Sequence, residues 1–203
     1  MFSETLPFER KHCIVIDPGH GGEDGGATSC TGRMESEYNL AISRRLDDLL
    51  HLLGYRTRMT RTSDVSIYTT GETIAQKKVS DLKERVRIVN EVSNALLVSI
   101  HQNQFSDSRY SGAQVFYANT PGSKELGQRL QGKLVEAVNL GSNRKSKPIS
   151  GVYLMEKINC TGVLVECGFL SNPQEEARLR DSEYQKKICC VIAAVVSQHL
   201  SNT

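Results

Sequence analysis

Residues 13–22 read CIVIDPGHGG, an apolar run that meets Asp17 and Pro18 and then presents His20 among glycines. Ile14, Val15 and Ile16 are consecutive β-branched residues, the mark of a short strand buried on both faces. Gly19, Gly21 and Gly22 permit a sharp turn just past its end. A strand and turn of this kind deliver a histidine to one edge of a sheet. That histidine is either a turn residue or a ligand waiting for partners.

The same pattern recurs further along the chain. Residues 95–101, ALLVSIH, form a second apolar run ending in His101, and residues 162–169, GVLVECGF, a third that reaches Glu166. From Glu35 to Leu53, Leu40, Ile42, Leu46, Leu49, Leu50 and Leu53 recur at helical spacing, and Gly54 is a natural stop. Residues 55–60, YRTRMT, alternate like a strand. Residues 81–94 carry Leu82, Val86 and Val89 on one helical face, with Ser80 and Asp81 as capping residues. Residues 64–78 offer few apolar anchors and read as a loop with a turn of helix.

The pattern predicts strands at 113–118 (AQVFYA) and 151–156 (GVYLME), with helices over 123–140 and 182–200. Strands alternating with helices predict one α/β domain with a mostly parallel, twisted central sheet and helices on both faces. Residues 1–203 read as this single domain, with residues 1–11 a flexible or residual N-terminal segment.

Composition narrows the function classes. The 203 residues are 38% hydrophobic and 24% charged, within the range of ordinary globular proteins. Lys and Arg number 25 against 23 Asp and Glu, and a net charge of +2 gives no basic surface for nucleic acid. The apolar runs are too short to span a bilayer. The opening MFSETLPFERK has no apolar signal core. None of the six cysteines forms a CxxC pair, so a structural zinc knuckle is not expected. Cys13, Cys167, Cys189 and Cys190 lie in apolar segments and read as buried free thiols, while Cys30 and Cys160 lie in loops.

In an open parallel sheet, ligands bind beyond the carboxyl ends of the strands. His20, His101 and Glu166 all stand there, and Glu35 opens the helix after the glycine turn. Singly, each has an ordinary explanation. A histidine after a strand often just hydrogen-bonds in a loop, and an acid suits the first turn of a helix, where Glu37 competes with Glu35. Glu166 ends a strongly apolar run, so it needs either a cationic partner, with Arg61 and Arg85 as candidates, or a catalytic task. Together they match one chemistry. Zinc that hydrolyses an amide is held by three His or carboxylate ligands, and a separate carboxylate moves the proton. Ligands His20, Glu35 and His101 with Glu166 as base fit it, and HExxH is absent.

At these residues the chain resembles the zinc-dependent N-acetylmuramoyl-L-alanine amidases of bacterial cell walls. IVIDPGHGG (14–22), the glutamate of MESEYNLA (34–41), VSIHQN (98–103) and VLVECGFLSN (163–172) carry the likeness, with TRTSD (60–64) and RVRIVN (85–90). The resemblance implies Zn2+ on His20, Glu35 and His101 and catalysis by Glu166. Because the family's ligand lies four positions before the asparagine of NLA, here Asn39, it selects Glu35 over Glu37.

Residues 112–118, 142–148 and 165–188 look like the subgroup acting on spore cortex. That implies peptidoglycan as substrate, export to the cell wall or spore envelope, and a role in sporulation and germination. Whether an activating partner protein is needed stays open. Gln102, Thr161 and Gly162 depart from the family's usual residues without touching a ligand position. Asp17 has two readings, as a carboxylate orienting His20 or as a residue of an Asp-Pro turn. Two rival functions remain: a zinc peptidase cutting within the stem peptide, and an inactive wall-binding module.

Overall fold

The run that opens the sequence is the strand β1, Cys13–Pro18, buried along its whole length in a computed structural model that describes residues 11–202. It lies between β2 (Arg56–Met59) and β3 (Ala95–Asn103), parallel to both. β6 (Thr161–Phe169) continues the parallel set beside β3. β4 (Gln114–Tyr117) pairs antiparallel with β6, and the two-residue β5 (Lys147–Pro148) pairs with β4 at the edge. The sheet order is β2-β1-β3-β6-β4-β5, the mostly parallel sheet expected. Residues 1–10 of the anticipated N-terminal segment lie outside the described residues.

Strand periodicity sorts the side chains onto two faces. Ile14, Ile16, Val98, Ile100, Val163 and Val165 face a large core shared with α1 (Glu35–Leu52), α3 (Ser123–Ala137) and α6 (Ser182–Ser201). Val15, Leu97 and Leu164 face a smaller core covered by α2 (Ile74–Asn90) and α4 (Tyr153–Lys157). From β1 the chain crosses by α1 to β2 on one side, then by α2 to β3 on the other. The connection therefore reverses direction between β1 and β3, where an open α/β sheet leaves a crevice beyond its strand ends.

Four local expectations change. GVYLME is the short helix α4, with Leu154 and Met155 buried; an apolar run this short has the same signature in a strand or a helix. α2 begins at Ile74, well before Asp81, because Thr73 and Gln76 form a reciprocal capping box. Its first turns have no apolar face, with Ile74 and Val79 exposed, so periodicity does not register them. An additional helix, α5 (Pro173–Arg180), is set by Asn172 as N-cap and proline in its first turn. All six cysteines are free, but Cys190 is exposed, since consecutive helical residues point in different directions and Cys189 takes the core position.

Asp17 has neither of its expected roles. It points into the smaller-core face, almost wholly buried, and pairs with Arg85 of α2 at 2.6 Å. Thr60 and Ser99 donate to its two oxygens at 2.7 and 2.8 Å. Burial alone would raise its pKa, but Arg85 and these hydroxyls outweigh burial and hold it at about 2. The native pKa lies below the unfolded value near ~3.9, so the pair contributes stability above that pH and loses it as pH falls toward 2. Asp17→Asn should cost about 1.5–3 kcal/mol, because it removes one of the two carboxylates that neutralise the buried Arg85 guanidinium and leaves Asp81 as the other. Urea titrations at neutral pH and between pH 4 and 2 measure this: the variant should be weaker at neutrality and lose less stability on acidification.

Candidate metal centre

The turn after β1 is held by two buried arginines. Arg61 donates to the carbonyls of Pro18, Gly19, Ser36 and Ser63 at 2.9–3.0 Å. Arg85 donates to the carbonyls of Pro18 and His20, both at 2.8 Å. Arg61 is therefore committed to backbone carbonyls and Arg85 to this turn, Asp17 and Asp81, and neither is the partner of Glu166. His20 itself takes a left-handed conformation with φ of 61°, uncommon outside glycine and frequent at functional sites. Gly19 is required by packing: a Cβ there would come within 2.2 Å of the His101 ring.

Three side chains converge on this turn. His20 Nε2 lies 3.3 Å from Glu35 Oε2, and His101 Nδ1 lies 3.0 Å from Glu35 Oε1. The two rings stand edge to face, centroids 5.1 Å apart. One ligand-type atom from each of His20, Glu35 and His101 falls within 4.8 Å of the others, a spacing that suits a single metal ion. Glu35 is the first residue of α1 and is 4% exposed. Its oxygens accept from the backbone N–H groups of Ala27 (3.0 Å) and Gln102 (3.1 Å) and from Asn39 Nδ2 (3.2 Å). Burial raises the Glu35 pKa, yet hydrogen bonds and charge from His101 and His20 outweigh it and hold the group well below the usual carboxylate range.

The choice of Glu35 over Glu37 has a physical basis in Asn39. One helical turn beyond Glu35, its amide bridges Glu35 and the Gly19 carbonyl, tying helix to turn. Glu37 instead faces outward, paired with Arg33 at 3.0 Å and accepting from the Met34 N–H. Gln102, one of the departures, joins this arrangement by donating to Asn39 Oδ1 at 3.2 Å. Thr161 and Gly162 stand at the opposite end of β6, against Leu96 and Leu97.

A carboxylate missing from the expected set orients His20. Asp24, brought back by a bridge between Gly21 and Asp24, accepts from His20 Nδ1 at 3.0 Å. This leaves Nε2 facing Glu35, the arrangement typical of ligating imidazoles. Burial opposes charge on His20, but Asp24 and Glu35 outweigh it and place the pKa at about 9. The two glycine pairs flanking Glu23–Asp24 were the available signal, since a turn among glycines brings its carboxylate back to the histidine.

Glu166 stands on β6 directly beside His101 of β3. Its Oε2 is enclosed and has no hydrogen-bond partner among the described residues. Burial pushes its pKa up to about 7; the charge of His101 lowers it to a lesser extent and that of Glu35 adds to the rise. A nearby divalent cation favours the charged form and draws that value lower.

This arrangement, a crevice at the strand ends with two histidines, a buried glutamate and a second glutamate held near neutrality, is that of a metal-dependent hydrolase. The sequence matches the N-acetylmuramoyl-L-alanine amidase family over residues 14–198, and the chain belongs to that family. It is 37% identical over 191 residues to the germination-specific N-acetylmuramoyl-L-alanine amidase of Bacillus subtilis, covering 93% of this chain and 79% of that one. Among solved structures it resembles the CwlD amidase of Clostridioides difficile in complex with the GerS lipoprotein, with a TM-score of 0.89 and 38% identity. That match covers 94% of this chain and 99% of the other. An N-acetylmuramoyl-L-alanine amidase from Clostridium difficile 630 matches at a TM-score of 0.83 and 31% identity over 96% and 99% of the two chains. The activity is accordingly hydrolysis of the muramoyl-L-alanine amide in peptidoglycan, in place of cleavage within the stem peptide.

Asp24→Asn should lower the His20 pKa in metal-free protein, because it removes a carboxylate that favours the imidazolium. An NMR titration of the His20 ring measures the shift, and an unchanged pKa would refute the orienting role of Asp24.

Proposed function

We propose that the chain is one catalytic domain in which His20, Glu35 and His101 hold zinc and Glu166 carries the proton during muramoyl-amide hydrolysis. The observation supporting this reading is the convergence of three ligand atoms within 4.8 Å beside an enclosed, unpartnered carboxylate oxygen. Two imidazoles and one carboxylate suit a four-coordinate zinc with one position open. When bound, zinc supplies Lewis-acid polarisation of the carbonyl and an acidified water.

The chain's own residues do the rest. Asp24 holds His20 with Nε2 free to ligate, and Asn39 and two backbone amides fix the Glu35 carboxylate. Glu166 accepts the proton of the attacking water and returns it to the departing alanine amine. A half-buried carboxylate with one enclosed oxygen free of hydrogen bonds among the described residues suits both steps.

The likeness to the germination-specific relative supports spore-cortex peptidoglycan as the substrate and an exported location in the wall or spore envelope. The C. difficile amidase bound to a lipoprotein supports an activating protein partner for this chain as well. Among the described residues no helix is long and apolar enough to cross a membrane.

His20→Ala, His101→Ala and Glu35→Ala should each abolish stoichiometric zinc in metal analysis, while Glu37→Ala should retain it. Glu166→Gln should keep zinc and fold and lose about 100- to 10,000-fold in product release from purified muropeptides. Loss of zinc in that variant would make Glu166 a ligand, and retained turnover would remove it from the mechanism.

A further inference from the structure

The loop that follows β3 carries an aromatic pair that no step of the hydrolysis uses. Phe105 and Tyr110 stand edge to face with ring centroids 4.7 Å apart, and Tyr110 lies 6.2 Å from the Phe169 ring of β6. Even so, 51% of Phe105 and 47% of Tyr110 stay in water. Among the described residues only one other Phe or Tyr, Tyr153, is exposed. Burying a ring is favourable, so two touching rings left in water at the rim of a site mark a binding surface.

The loop is built to hold its shape. The Phe105 N–H donates to Ser171 Oγ and Asn172 Nδ2 donates to the Tyr110 carbonyl, both at 3.2 Å. Gln104 Nε2 donates to the Thr28 carbonyl at 3.3 Å, tying the loop to the segment between the glycine turn and α1. Between the two rings, Asp107 accepts from the backbone and guanidinium of Arg109 at 2.7–3.1 Å. A surface fixed in this way loses little conformational freedom when a ligand docks on it.

Position selects the occupant. Phe105 follows His101 by four residues, so their Cα atoms are at most about 14 Å apart. Thr28 adjoins Ala27 and Ser171 leads into α5, and Ala27 and Leu179 of α5 both pack against the larger core. Glu166 leaves β6 on the other face, the one that Leu164 turns toward the smaller core. The aromatic pair and the proton carrier thus lie on opposite sides of the strand ends. In the amide that is cut, the nitrogen belongs beside Glu166, so the acyl half extends toward the pair. That acyl half is muramic acid, one unit in a polymer of pyranose rings. A pyranose presents a face of C–H bonds, whose slight positive charge suits the negative face of an aromatic ring.

We propose that Phe105 and Tyr110 form a stacking platform for a sugar of the glycan strand, next to the muramic acid whose amide is cut. This inference rests on the roles given above to His20, Glu35, His101 and Glu166.

A binding test needs no turnover. The chain contains no tryptophan, so Phe105→Trp places a single indole emitter on the platform and keeps an aromatic face there. Zinc-loaded Phe105→Trp protein is titrated with a peptide-free oligosaccharide of alternating N-acetylglucosamine and N-acetylmuramic acid, which has no muramoyl-alanine bond to cut. The indole emission should change saturably. Adding Tyr110→Ala should weaken that binding about 2- to 10-fold, the range for one aromatic contact. No response, or a response to L-alanyl-D-glutamate in place of the sugar, overturns the proposal. An emission shift on concentrating the protein without sugar assigns the patch to a second copy and overturns it too.

Kinetics supply the second readout. Phe105→Ala is compared with the parent on muramoyl-L-alanyl-D-glutamate and on the same peptide carried by a tetrasaccharide. On the tetrasaccharide kcat/KM should fall about 2- to 10-fold, through KM more than kcat, and the loss should shrink when one sugar remains. Phe105→Trp should restore the tetrasaccharide KM. An equal loss on both substrates marks a structural role for the loop and overturns the proposal. Failure of the underlying roles shows separately, as turnover retained by Glu166→Gln or zinc retained by His101→Ala.

Discussion

Two buried guanidiniums hold the chain where β1 ends, and the rest of the site is built on that hold. Between them Arg61 and Arg85 engage the carbonyls of Pro18, Gly19 and His20, groups that turn away from the sheet ladder, with Asn39 a further donor to Gly19. Arg85 is in turn neutralised by Asp17 and by Asp81, each at 2.6 Å. Arg61 has no comparably close carboxylate, with Asp64 at 3.9 Å, and spends its donors on backbone oxygens. The left-handed conformation of His20 persists because its neighbours are fixed on both sides.

From that anchor the site extends by short-range links. Asn39 joins the turn to the first residue of α1, and Gln102 joins Asn39 to the end of β3. Glu35 receives hydrogen bonds from the glycine loop, from its own helix and from β3, so three segments fix one carboxylate. Such support locks the rotamer of a ligating group before any ion arrives. Glu166 is the opposite case. It is half-buried, with one oxygen enclosed and unpartnered among the described residues, and keeps its pKa near neutrality, which suits a group that exchanges protons.

Much of this was legible in the sequence because it depends on local pattern. The β-branched run at 14–16 and the largely apolar stretches at 96–100 and 163–165 each mark a buried strand. Sheet edges attract chemistry, so the polar residues that end these runs marked the site. The long helices α1 and α6 were equally readable, since each carries a continuous apolar face. What escaped were elements whose signal is a cap and lacks periodicity, such as α5 after Asn172 and the first turns of α2 after Thr73. The run at 151–156 escaped because six residues are too few to separate a strand from a helix.

By itself the sequence determined the strand-ending histidines, Glu35 and Glu166, the family to which they belong, and an α/β sheet to carry them. Only the tertiary structure decided how the groups between them are shared. Asp17 sits next to the turn in sequence, yet strand alternation aims it under the sheet at Arg85, while Asp24, four residues past His20, is folded back onto the ring. Arg61 and Arg85, equally plausible partners for Glu166 on paper, are drawn to backbone carbonyls at β1 and leave Glu166 unpaired. Those choices depend on which face a side chain leaves from and which elements cross there. That information is long-range, and no local pattern contains it.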